Sequence, residues 1–154
     1  MFASREAGAR FLGYLRAQRE RLLGQRGQMR VTRTELIEAH GYDTKFAMHA
    51  LRLGYQGIEY LRTGRLTLPM ITGREHCMDV RLGRLPLAEV VRSIEALETE
   101  LCLLTYGTGH MPESAADRRD HSAGRSPLPP SADRERIDRF LVEVYADAWE
   151  AIWR

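Results

Sequence analysis

Apolar residues in this chain return every third or fourth position, the period of one face of an α-helix and not the alternation of a strand. Phe11, Leu12, Leu15, Leu22 and Leu23 keep that period across residues 4–24, with Ser4 placed to cap the first turn and Glu6 near its positive end. Leu87, Val90, Val91, Ile94, Leu97, Leu101 and Leu104 keep it through 87–104. Ile137, Phe140, Leu141, Val144, Tyr145, Ala148 and Trp149 keep it near the end. Residues 65–69 alternate, but over too short a stretch to imply a sheet. The chain therefore reads as all-α, a helical bundle of about five to six helices with a long loop before the last helix.

Glycine and proline punctuate that pattern. After a polar, glycine-bearing connection at 24–29, a short helix is expected over 34–40, closed by Gly41 where a left-handed residue is needed. Asp43 is placed to cap a third helix, 43–63, which Gly64 ends. Gly83 and Pro86 separate a helix at 74–82 from the one at 87–104. From Thr105 to Ala132 the composition turns to glycine, proline, serine and mixed charge, which reads as a flexible linker. The expected organisation is a bundle over 1–104, the linker over 105–132, and a C-terminal helix over 133–154 that docks on the bundle.

With 154 residues the chain is long enough for one domain with a real core, and its formal net charge of +2 is too small to predict nucleic-acid or membrane binding. Any cationic function must come from local clustering. Two widely separated cysteines, Cys77 and Cys102, fit reduced thiols in a cytosol better than a disulfide framework. No apolar run approaches the roughly 18 residues of a membrane span, so no membrane partner is expected and the expected location is cytoplasmic.

The third helix carries the chemistry. Lys45 is the one lysine among 23 basic residues, and it opens a polar stripe of Lys45, His49, Arg52, Gln56 and Glu59 opposite the apolar Ala47, Ala50, Leu51, Gly54, Ile58 and Leu61. Lys45, His49 and Arg52 stand at i, i+4 and i+7, so three potential cations share one face beside a positive helix end. Like charges so placed repel by a few tenths of a kcal/mol per pair, and a bound anion relieves that repulsion. A triphosphate suits such a ladder: Lys45 and Arg52 neutralise phosphate oxygens and His49 donates a hydrogen bond. A solvated charged face is the plainer reading of the same pattern.

The segment from His40 through Gly41, Tyr42, Asp43, Thr44, Lys45, Phe46, Ala47, Met48, His49, Ala50 and Leu51 to Arg52, followed by Gly57, Ile58, Glu59, Tyr60, Leu61, Arg62, Thr63 and Gly64, resembles the helical C-terminal part of predicted nucleotidyltransferases of the DNA polymerase beta superfamily. The similarity extends from Phe11, Leu12, Gly13, Tyr14 and Leu15 through Arg81–Arg84, and more weakly to Phe140, Leu141 and Val142. It implies that Tyr42, Asp43, Lys45, His49 and Arg52 face a cleft and hold a nucleotide or acceptor, a nucleoside triphosphate or a nucleic-acid phosphate. It also implies that catalysis belongs to a separate α/β lobe with a Gly-Ser turn and paired carboxylates that hold Mg²⁺.

This chain has no Gly-Ser dipeptide and no strand bearing two acids. Two-metal phosphoryl transfer needs carboxylates placed together, so the isolated chain is expected to be catalytically inert and to need Mg²⁺ only with a catalytic lobe from another chain. Two other classes stay open. Residues 35–40, a turn at Gly41 and Tyr42, and the long helix have the order of a helix-turn-helix, with Lys45, His49, Arg52 and Gln56 as groove readers. An interaction or regulatory protein for a complete nucleotidyltransferase, or a homo-oligomer, would instead expose apolar surface where a partner docks.

Overall fold

The computed structural model of the chain describes residues 2–25 and 33–152, with side chains to 149, and among them every regular element is a helix. The elements are α1 (Glu6–Leu22), α2 (Thr34–His40), α3 (Thr44–Thr63), α4 (Arg74–Arg81), α5 (Leu87–Tyr106), a single 3-10 turn at Asp117–Arg119 and α6 (Arg134–Ile152). The connection expected at 24–29 lies outside the described residues from position 26 onward.

Local chemistry sets the ends of α3 and α2 where the sequence places them. Asp43 Oδ1 accepts hydrogen bonds from the backbone N–H groups of Lys45 and Phe46, at 2.9 and 3.2 Å, satisfying two donors that the first turn leaves open. Gly64 closes α3 at φ 71°, and Gly41 closes α2 at φ 80°, a region costly for a residue with a Cβ. The α1 start differs: Arg5, not Ser4, is the cap residue, and no side chain caps the first turn. The Ser4 carbonyl accepts from Ala7 N–H instead.

α3 is the central rod, packed against α1, α5 and α4. Its apolar stripe, Ala47, Ala50, Leu51, Gly54, Ile58 and Leu61, is buried throughout, and Leu12, Leu15, Val80, Val90, Ile94 and Leu101 close around it. Glycine allows the helices to approach: a Cβ built at Gly54 would lie 2.8 Å from Leu97 Cβ, and one at Gly57 would lie 2.9 Å from both Leu101 Cδ2 and Phe11 Cγ. Two acids of α5 face arginines of α1, Glu95 at 4.0 Å from Arg19 Nη1 and Glu98 more closely. Glu98, buried at 8% exposure, sits 2.6 Å from Arg16 Nε and 2.8 Å from Arg19 Nη1, the second approach not aligned as a hydrogen bond.

Within the 105–132 stretch read as a linker, residues 107–132 follow α5 and are joined to the bundle by hydrogen bonds. Arg5 donates to four carbonyls of this stretch, from Nε to Leu128 at 2.6 Å and from Nη1 to His121, Ser122 and Gly124 at 2.7–2.9 Å. Ser126 Oγ donates to the Leu61 carbonyl at the end of α3, and the N–H groups of Arg125 and Ser126 bond the Leu103 and Leu104 carbonyls. His121 is buried and lies against Tyr106, ring centroids 5.3 Å apart. The stretch is a strap held by hydrogen bonds rather than by an apolar run, which is why its composition resembles a linker.

The docking expected of the last helix is slight. Among the described residues α6 is not one of the helices packed extensively on another, and its Phe140 ring meets Phe2 edge-on at 6.0 Å. Phe140, Leu141, Val144, Tyr145 and Trp149 are all exposed. No helix among the described residues is long and apolar enough to cross a membrane.

Candidate phosphate-binding groove between α1 and α3

His49 of the α3 stripe borders a concavity. It is half-buried and forms one wall of an open groove of about 550 Å³, whose other wall is α1. The α1 residues are Arg10, Gly13, Tyr14, Ala17, Gln18 and Arg21, at successive spacings of three and one, so they form a single face of that helix. Gly13 contributes no side chain, which leaves room between Arg10 and Tyr14.

The electrostatics of the groove are positive. Burial, and then the charges of Arg52, Arg21 and Lys45 in that order, hold the His49 imidazole below its ordinary value of about 6.5. At neutral pH His49 is therefore an uncharged ring able to donate one hydrogen bond, surrounded by guanidinium and ammonium groups. Lys45 and Arg52 themselves are exposed. Arg52 also acts on α4, where its charge opposes the rise of the Cys77 thiol, so it stands between the groove and that helix.

Tyr42 and Asp43, expected to face the cleft, belong to the framework instead. Tyr42 is 4% exposed and its hydroxyl donates to the Leu85 carbonyl at 2.8 Å; burial raises its hydroxyl's pKa. Asp43 is 6% exposed, and besides capping α3 its Oδ2 accepts from Arg33 Nη1 at 3.0 Å. Arg33 in turn lies over the Phe46 ring, 5.1 Å from its centroid. The carboxylate is thus saturated by the helix N-terminus and a guanidinium. At the other end of the stripe Glu59 Oε1 accepts from Thr67 N–H at 3.0 Å and fixes the chain leaving α3.

Arg10 and Arg21 are the groove residues that the sequence reading missed. The signal was available: Arg10, Tyr14, Gln18 and Arg21 recur at spacings of four, four and three, on a face of α1 separate from Leu12 and Leu15. A second concavity, about 400 Å³ between the strap and the end of α5, is lined by Tyr106, His110, Glu113, Asp117 and Asp120, and its acids make it unsuited to an anion. Among the described residues no three His, Cys, Asp or Glu side chains are grouped to hold a metal ion. Comparison with protein-family models, with curated proteins and with solved structures returns no match.

Proposed function

We propose that the α1/α3 groove binds phosphate groups, and that the chain is a nucleotide- or nucleic-acid-binding helical lobe whose chemistry, Mg²⁺ included, requires carboxylates from another chain. The observation that carries this reading is that Arg10 and Arg21 of α1 line one open groove with a neutral His49 of α3, and that the charges of Arg52, Arg21 and Lys45 all act on that His49. A bound anion relieves the repulsion among them, and the half-buried imidazole supplies a directional donor that bulk counter-ions do not need. The same placement weighs against α3 as a reader of a DNA groove, because α1 stands beside His49 where a base edge would have to enter.

The test is calorimetric titration of tripolyphosphate and of a nucleoside triphosphate into the wild-type protein and into Arg21→Ala and Lys45→Ala. Each exposed charge removed is expected to weaken binding by about two- to five-fold, the worth of one partly screened ion pair. Rising salt is expected to weaken it further. Absence of binding, or variants indistinguishable from wild type, would remove the proposal.

A further inference from the structure

We infer that the α1 wall of the groove is a nucleobase subsite, in which the Tyr14 ring stacks on the base and the Gln18 amide bonds its edge, a proposal that rests on the phosphate reading of the same groove. The ligand is then a nucleotide and not a bare polyphosphate. Tyr14 lines the groove, is 63% exposed and meets no other ring among the described residues. Beside it nothing lies within 4 Å of where a Cβ on Gly13 would stand, so the space next to the ring is open.

Gln18 is the independent observation that points to a base. It also lines the groove and is only 8% exposed, yet its side-chain amide makes no hydrogen bond among the described residues. A buried amide left unbonded costs free energy that a ligand recovers. Neither polar atom of this amide is sealed in the core, so the groove is where they find a partner. An amide sets an acceptor beside donors, which matches the N6 amine of adenine and its neighbouring ring nitrogen. A phosphate oxygen only accepts and would leave the amide oxygen unpaired.

The layout separates base from phosphates. α1 and α3 run antiparallel, Gly8 facing Leu61 and Phe11 facing Gly57, so the Arg21 end of α1 lies towards the start of α3. His49, on which the charges of Arg52, Arg21 and Lys45 act, belongs to that half of α3. Tyr14 and Arg21 are seven residues apart, about 10 Å along the helix, which leaves a sugar between the ring and the cationic end. The groove, about 550 Å³, has the size of a small-ligand site.

Isothermal titration of the full chain with tripolyphosphate and with ATP separates the two parts of the ligand. ATP is expected to bind about fivefold tighter or more, the low end of what one base stacked on an aromatic ring contributes. Tyr14→Ala, at an exposed position, is expected to remove that advantage and to leave tripolyphosphate binding unchanged, whereas Tyr14→Phe keeps it. Gln18→Leu, similar in size, is expected to weaken ATP by about fivefold, the worth of one hydrogen bond, and not tripolyphosphate. Magnetisation transfer between adenine H2 or H8 and the Tyr14 ring protons in the wild-type complex needs no variant. ATP no tighter than tripolyphosphate, Tyr14→Ala equal to wild type for ATP, or no such transfer in bound ATP overturns the base subsite and leaves the phosphate reading standing. Failure of both ligands to bind overturns the two together.

Discussion

Replacing Gly54 by alanine tests how closely α3 and α5 approach. Two effects oppose each other. Alanine is better than glycine inside a helix by about 1 kcal/mol, which favours the variant. Against this, the new methyl would lie 2.8 Å from both Cβ and Cδ1 of Leu97, well inside van der Waals contact. Leu97 Cβ is bonded to the α5 backbone, so no rotamer change removes that clash and the two helices must part. Overpacking of this kind costs about 1–3 kcal/mol, so the net change is a loss of about 1 kcal/mol, or a Tm lower by about 3 °C in a chain of this size. Gly13→Ala is the control: it lies in α1 with nothing within 4 Å of the added methyl, keeps the propensity gain, and should raise Tm by about 3 °C. Thermal unfolding followed by circular dichroism at 222 nm compares the two directly. If Gly54→Ala stabilised the protein as much as Gly13→Ala, the close α3/α5 packing described above would be wrong.

Arg5→Ala should release the strap by deleting four carbonyl contacts; limited proteolysis is then expected to cut within the exposed residues 113–120 at least tenfold faster, since opening the strap costs about 2 kcal/mol less. Glu98→Ala leaves Arg16 and Arg19 without their buried partner and should cost about 2 kcal/mol in urea unfolding, less than a fully buried pair because Arg16 is about one-third exposed; Glu98→Gln, which keeps an acceptor, should cost less. Burial pushes both the Cys77 and Cys102 thiols up to about 11, so a thiol reagent at pH 8 should label neither in the native protein and both after denaturation.

What the sequence made legible was local. The Asp43 cap and the Gly41 and Gly64 stops act over four residues or fewer, and the apolar stripe of α3 follows from period alone, so both were readable in advance. The strap was not, because Arg5 meets carbonyls 116 to 123 residues away and a carbonyl acceptor is offered by every residue type. Tyr42 and Asp43 share the short segment that holds Lys45, yet one hydroxyl reaches Leu85 and one carboxylate reaches Arg33, and neither partner is marked in the pattern. The α1 wall of the groove escaped for a different reason: Arg10 and Arg21 become meaningful only once α1 is known to lie along α3.

The most direct measurement of the phosphate-binding claim is the titration of the histidine ring protons by NMR, with and without tripolyphosphate. In the free protein burial and the neighbouring cations hold His49 below about 6.5, and burial likewise lowers His121 within the strap. A triphosphate seated among Arg21, Arg52 and Lys45 offsets their charge and favours the imidazolium, so the His49 midpoint is predicted to rise while that of His121 stays in place. Midpoints that do not move, or that move together, would contradict the account.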